Sequence, residues 1–141
     1  MISEQPPTVY IDGQAGTTAL KIYEILADRD DIEILTLPDA KRKDPTFRRN
    51  AINRSNLSIL CLPDDAAMQA VQWADTANTK IIDASTAHRV DEGWVNGLPE
   101  ISGEIRQTIR NSNRVANPGC NPTSVILLMR PLIDHEILQS D

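Results

Sequence analysis

A doubly wound α/β fold, with a mainly parallel sheet and helices on both faces, is predicted by three observations. Short apolar runs alternate with amphipathic helical stretches along the chain, and the connections between them are brief. The first apolar run feeds a glycine turn that opens directly into a helix. The composition is 40% apolar but includes only one Phe, two Trp and two Tyr, so the core must be aliphatic, as in a buried parallel sheet. With 141 residues the chain has material for one domain with a real core.

Thr8-Val9-Tyr10-Ile11-Asp12 reads as the first strand, and Gly13-Gln14-Ala15-Gly16-Thr17-Thr18 as the turn into a helix. Ala15, Ala19, Ile22, Tyr23 and Leu26 recur at the spacing of one buried helix face. Gly13 permits the turn, and Gly16 lets the backbone approach a pyrophosphate at the helix N-terminus. The spacing is G-x-x-G-x-x-A rather than the G-x-G-x-x-G of the dinucleotide fingerprint, and by itself it fits a structural turn as well as a dinucleotide site. Residues 32–37 form the second strand, followed by a polar loop carrying Lys41-Arg42-Lys43. A helix over 46–54 leads to a third strand at 57–62, stopped by Pro63.

Asp64-Asp65 open the next helix, with their carboxylates near its positive end and Ala66, Ala67, Ala70, Val71 and Ala74 on one face. Lys80-Ile81-Ile82-Asp83 is the fourth strand, and 84–100 reads as a compact loop. Ile101, Ile105 and Ile109 mark a helix face, and Arg114-Val115-Ala116 a last buried strand. The segment from Pro122 to Leu138 is helical in pattern, with Pro131 expected to kink or divide it. Residues 1–7 are expected to be disordered.

Net charge of −6 argues against general nucleic-acid binding, and Lys41-Arg42-Lys43 is a local cluster rather than a stripe. No apolar run reaches the roughly 18 to 20 residues of a membrane span, and the N-terminus has no signal-peptide pattern, so a cytoplasmic protein without membrane partners is expected. Two cysteines and two histidines show no metal-ligand spacing, so no metal site is expected and the thiols are expected to be free.

Ligands of such sheets bind beyond the carboxyl ends of the strands. The suggestive residues all map there: Gly13 to Thr18, Leu62 and Pro63, 84–89, and Cys120. The run 115–123, Val-Ala-Asn-Pro-Gly-Cys-Asn-Pro-Thr, sets Cys120 between a Pro-Gly turn and an apolar helix. There the backbone N–H groups and the positive end of the helix dipole favour a thiolate nucleophile. The end of the second strand carries Thr36 where a ribose-binding carboxylate would mark an NAD site, and the nearby Lys41, Arg42 and Lys43 suit a 2′-phosphate. The cofactor expected is therefore NADP.

Taken with the glycine turn, four further motifs carry a resemblance: Cys-Leu-Pro-Asp-Asp-Ala-Ala at 61–67, Asp-Ala-Ser-Thr-Ala-His-Arg at 83–89, Gly-Leu-Pro-Glu at 97–100 and Asn-Pro-Gly-Cys at 117–120. The chain resembles the N-acetyl-gamma-glutamyl-phosphate reductase family, in its shorter class, over essentially all of 8–138. The resemblance implies an NADP-binding Rossmann-type domain over 8–118, and the nucleophile turn and first helix of a catalytic domain over 119–141. It implies Cys120 as the catalytic nucleophile and Ser85 and Arg89 beside an acyl-phosphate substrate. It gives the cofactor to Gly13, Ala15, Gly16, Thr17, Thr18, Leu62 and Pro63, to which the reading of the second strand's end adds Thr36 and Arg42.

The implied reaction is NADPH-dependent reduction of N-acetyl-L-glutamyl 5-phosphate to the 5-semialdehyde through a cysteine thioester, in arginine biosynthesis. His88 reads better as a satisfied hydrogen-bonding group than as a catalyst. Ala19 replaces the third glycine of the family turn, and Asn121 stands where the family motif usually has tyrosine. The family continues past the position of Asp141 with a domain expected to carry a catalytic histidine, most of the substrate pocket and the interface of a homo-oligomer. His135, about four helical turns from Cys120, is a poor substitute base. This chain alone is expected to bind cofactor without turnover. The alternatives are a stand-alone NADP-binding or regulatory module, and a relative acting on aspartyl phosphate, which the Gly119-Cys120 pair disfavours.

Overall fold

The computed structural model describes residues 5–74 and 79–138. Six parallel strands form one sheet in the order β2-β1-β3-β4-β6-β5. They are β1 Thr8–Asp12, β2 Glu33–Leu35, β3 Leu57–Leu60, β4 Lys80–Asp83, β5 Val95–Asn96 and β6 Arg114–Ala116. The helices are α1 Thr17–Ala27, α2 Pro45–Arg54, α3 Asp64–Trp73, α4 Gly103–Asn111 and α5 Cys120–Asp134. The order runs outward from β1 to β2 and the other way from β3 to β4. Right-handed crossovers then put α1 and α3 on opposite faces and the topological switch between β1 and β3.

The core is mainly aliphatic, as the composition required. Tyr10, Ala51, Ile52, Leu60, Ala70, Ala74 and Ile81 pack together as one buried cluster. On α3 the predicted alanine face is the buried one, through Ala67 and Ala70. On α1 only Ala19 is buried, whereas Tyr23 is exposed and Ala15 lies in the turn ahead of the helix. Asp44 caps α2 by accepting from the Thr46 N–H at 2.8 Å, with Pro45 at the first helical position. Ser102 caps α4 by accepting from the Ile105 N–H at 3.1 Å.

Three differences from the sequence reading have physical causes. The loop predicted over 84–100 contains β5, a two-residue edge strand too short to show a period, which pairs with β6. The last helix starts at Cys120, not Pro122, because a proline in the first turn removes only an N–H that has no intrahelical partner. It is not divided at Pro131, since the proline lies in the last turn and the Leu127 carbonyl that loses its partner belongs to an exposed helix, which stops at Asp134. Of the segment predicted to be disordered, residues 1–4 lie outside the described residues, and the Pro7 carbonyl accepts from the Glu33 N–H at 3.0 Å.

Strand register positions the site. Asp12 is level with Leu60, Leu60 with Asp83, and Asp83 with Ala116, so four strands end on one row. The next residues, Cys61, Ala84 and Asn117, each donate an N–H to the neighbouring strand's last carbonyl, at 2.9, 2.9 and 2.8 Å. The loops carrying the motifs therefore leave the sheet side by side.

Candidate active site at the carboxyl edge of the sheet

The glycine turn is set by close approach. Gly13 has φ +96°, and a Cβ there would lie 2.2 Å from the carbonyl oxygen of Cys61. Gly16 differs: a Cβ would meet only the Gly13 carbonyl, at 3.4 Å, so nothing inside the protein demands a glycine. Gly16 instead caps α1 in extended geometry, donates to the Gly13 carbonyl at 2.9 Å and faces an open cavity. The N–H groups of the first turn of α1 have no intrahelical partner and point the same way.

Below the turn lies a pair that sequence reading missed. Asp12, nearly fully buried, accepts from Arg48 Nε at 3.1 Å and Nη2 at 3.0 Å, and from the Tyr10 hydroxyl at 3.3 Å. The Arg48 guanidinium also lies over the Trp73 ring, 5.1 Å from its centroid. Burial, and then the Asp12 charge, push the Tyr10 hydroxyl far above its ordinary range, so it stays a donor. The signal for this pair was weak, because 36 residues separate its partners.

Three cavities run along the edge. One of about 270 Å³ is lined by Gly13, Gln14, Ala15, Arg42, Lys43 and Leu62, among others. A second of about 320 Å³ adds Thr36, Leu37 and Tyr23 and shares Gln14, Asp39 and Arg42 with the first. Arg42 is partly engaged by Asp39, 3.3 Å away, across a 3₁₀ turn at Asp39–Lys41. Lys41 points elsewhere, its ammonium 4.2 Å from the Phe47 ring centroid. Of the basic cluster, Arg42 and Lys43 thus face the first cavity and Lys41 does not.

The third cavity, about 350 Å³, is where the motifs meet: Gly16, Thr17 and Thr18 from the turn, Leu62 after β3, Arg89, and Cys120. Leu62 also lines the first cavity and so forms the wall between the two. Cys120 is exposed at the first position of α5, its Sγ 3.8 Å from the Asn121 side-chain oxygen. Arg89 donates from Nε to the Asn117 carbonyl at 3.1 Å and from Nη2 to the Ala84 carbonyl at 3.2 Å. Its Nη1 lies 2.8 Å from where a Cβ on Gly119 would stand, so the missing side chain at 119 makes room for the guanidinium beside the thiol. Cys61, the other thiol of this cavity, is half-buried, and burial followed by the charges of Asp12 and Asp83 pushes its ionisation up.

Two predicted residues stand elsewhere. Pro63 is exposed, caps α3 and lines none of the three cavities. Ser85 is buried and turned to the protein: its Oγ donates to Asp83 at 2.6 Å and its N–H to the other Asp83 oxygen at 3.0 Å. Ser85 is not among the residues that line the cavity holding Arg89 and Cys120. The buried Asp83 carboxylate needs several partners, and Ser85 supplies two of them. His88 supplies a third through Nδ1, 2.6 Å from Asp83, and stacks on Trp94 with ring centroids 4.2 Å apart. The 83–89 motif is therefore largely a frame for the loop that carries Arg89. Asp64 pins the same loop by accepting from the Thr86 N–H at 2.9 Å and from its hydroxyl, bonds that hold the Asp64 carboxyl below its ordinary range.

The lining fits a dinucleotide. A glycine without an internal reason lines one cavity, and a guanidinium and an ammonium line another. Among the described residues no group of three or more His, Cys, Asp or Glu side chains could hold a metal, and no helix is long and apolar enough to cross a membrane.

Comparison with known proteins agrees with this geometry. Residues 39–109 match the family described as semialdehyde dehydrogenase, NAD binding domain. The chain is 51% identical over 135 residues to N-acetyl-gamma-glutamyl-phosphate reductase of Burkholderia ambifaria, covering 96% of this chain and 43% of that protein. It is 49% identical over 135 residues to N-acetyl-gamma-glutamyl-phosphate reductase 2 of Pseudomonas putida, with 96% and 43% covered. The chain thus spans less than half the length of the curated relatives it matches. Among solved structures it is similar to aspartate semialdehyde dehydrogenase of Francisella tularensis, with a TM-score of 0.71 at 15% identity, covering 92% of this chain and 41% of that one. At that identity the likeness shows the fold alone.

Proposed function

Starting from a chain that belongs to the semialdehyde dehydrogenase NAD-binding family, and within it to the N-acetyl-gamma-glutamyl-phosphate reductases, we propose that it supplies the NADP site and the nucleophile of an acyl-phosphate reductase in arginine biosynthesis. The observation that carries this reading is the single cavity lined by the glycine turn, Leu62, Arg89 and Cys120. It supports a nucleophile and a dinucleotide meeting on either side of one reacting carbon.

The residues divide the work as follows. The N–H groups of the first turn of α1 and Gly16 receive the pyrophosphate, Leu62 walls the nicotinamide end, and Arg42 with Thr36 and Lys43 receives the 2′-phosphate end. Bound NADPH supplies the hydride that takes an acyl carbon to the aldehyde level. Cys120 Sγ, as thiolate, attacks the carbonyl of N-acetyl-L-glutamyl 5-phosphate, the C–O bond to phosphate breaks, and an acyl thioester remains on Cys120.

The oxyanion formed during attack needs donors, and the first turn of α5 offers the N–H groups of Cys120 and Asn121, since Pro122 has none. Arg89 has two of its nitrogens tied to backbone carbonyls, which fixes its plane. Its remaining N–H groups face the cavity for the phosphate or carboxylate of the substrate. Ser85 acts through Asp83 to hold that loop, as a positioning residue.

Intact-protein mass spectrometry after exposure to a small acyl phosphate tests the nucleophile. One acyl adduct on Cys120, lost in Cys120→Ser and slowed in Arg89→Ala, is the expected result. An adduct on Cys61, or none while NADP still binds, would overturn the assignment of Cys120 and leave a nucleotide-binding module.

A further inference from the structure

Cys120 opens α5, and its Sγ lies 3.8 Å from the side-chain oxygen of Asn121, the long contact of a weak sulfur hydrogen bond. Both residues are exposed, and among the described residues the Asn121 amide has no second partner. The helix start offers the sulfur little else. Gly119, the cap, has no side chain to contribute, Pro122 has no N–H, and the Thr123 N–H is bonded to the Gly119 carbonyl at 3.0 Å. The Ser124 hydroxyl donates to the Cys120 carbonyl, also at 3.0 Å. Of the N–H groups in that turn, those of Cys120 and Asn121 remain, one fewer than a helix start without proline provides.

Direction matters as well. Asn121 is not among the residues lining the cavity that holds Gly16, Arg89 and Cys120. Its amide therefore reaches the sulfur from outside that cavity and leaves the cavity side of the sulfur open.

We infer that Asn121 is a positioning residue for the nucleophile, its side-chain amide holding Cys120 Sγ in both protonation states. As a thiol, Cys120 donates to Asn121 Oδ1. As a thiolate it only accepts, and a half-turn of the amide about its last side-chain bond puts Nδ2 where Oδ1 stood, with an N–H toward the anion. The amide makes good the donor that Pro122 lacks and keeps the sulfur aimed at the cavity before and after the proton leaves. The inference rests on the reading of Cys120 as the nucleophile and adds a partner for it.

Iodoacetamide alkylation of the chain, followed against pH by peptide mass spectrometry that separates Cys120 from Cys61, tests it. Asn121→Ala and Asn121→Leu should each raise the midpoint of the Cys120 profile by about 0.5–1 pH unit, the equivalent of one net hydrogen bond. Below the midpoint the reaction should slow by only about two- to fourfold, because a more basic thiolate is also more nucleophilic. The Cys61 profile should stay where it is. Alanine and leucine favour a helix more than asparagine does, so fraying of α5 does not explain such a rise.

An unmoved midpoint in both variants would overturn the inference. A rise in Asn121→Leu alone would overturn it too, by reporting exclusion of water by the larger side chain. Acetyl phosphate keeps the two readings apart. An acyl adduct on Cys120 of the parent, together with unmoved midpoints, would remove the role of Asn121 and leave the nucleophile in place, whereas no adduct in the parent would remove the nucleophile itself.

Discussion

The β1–β3 region and helix α5 hold the two halves of the site in opposite ways. Ile11, Ile52 and Leu60 are fully buried, and under the glycine turn Asp12 and Arg48 add a buried ion pair. Helix α5 buries none of its residues, and Val125 and Leu128 are 58% and 68% exposed. Among the described residues, the Cys120 end, proposed above as the nucleophile, is held by its first turn, through Gly119, Arg89 and the Asn117 carbonyl. The cofactor half is built into the core, whereas the thiol is placed by local loop contacts. Damage to the first should appear as lost stability, and damage to the second as lost reactivity with stability intact.

The largest expected effect is Arg48→Ala, which leaves the Asp12 carboxylate buried beside Tyr10 without its cation. It should destabilise by about 3–5 kcal/mol in urea unfolding. Ile11→Ala should lose about 3 kcal/mol by emptying a fully enclosed site. Gly13→Ala forces a Cβ toward the Cys61 carbonyl at positive φ and should cost about 2–3 kcal/mol while abolishing nucleotide binding. Leu128→Ala is the counterpart in α5 and should move the urea midpoint by no more than about 0.5 kcal/mol. A loss there comparable to that of Ile11→Ala would break the comparison.

The smallest effect concerns pH. The Asp64 carboxyl is lowered first by the Thr86 hydroxyl and next by the Thr86 N–H. Its stabilising contribution is therefore complete above the unfolded carboxylate value of about 3.9 and is lost as pH falls through the lower folded value. Asp64→Asn should flatten the acid limb of the stability curve in that window, lowering neutral stability by the small amount the limb carried and leaving stability below the window little changed. An unaltered acid limb would mean that the clamp on the Arg89 loop contributes nothing.

Much of the fold was legible in the sequence because parallel sheets write themselves in local patterns: Val9 to Ile11, Ile59 with Leu60, and the alanine face of α3. The glycine turn and Asn-Pro-Gly-Cys were legible for the same reason, each being a short-range device. What escaped depends on long-range placement. Arg48 meets Asp12 only once α2 packs beside β1, and no spacing rule joins positions so far apart. Lys41 and Arg42 are adjacent, yet the 3₁₀ turn directs one to Phe47 and the other to the cavities. Ser85 lay in the right motif but serves Asp83, because a buried carboxylate takes the nearest hydroxyl.

Calorimetric titration of the chain with NADP and with NAD, repeated in Arg42→Ala, tests the central claim most directly. The account predicts NADP binding that weakens about tenfold or more in the variant, with NAD binding nearly unchanged, since only the 2′-phosphate meets Arg42. Binding of both nucleotides with equal strength and no response to Arg42→Ala would contradict it.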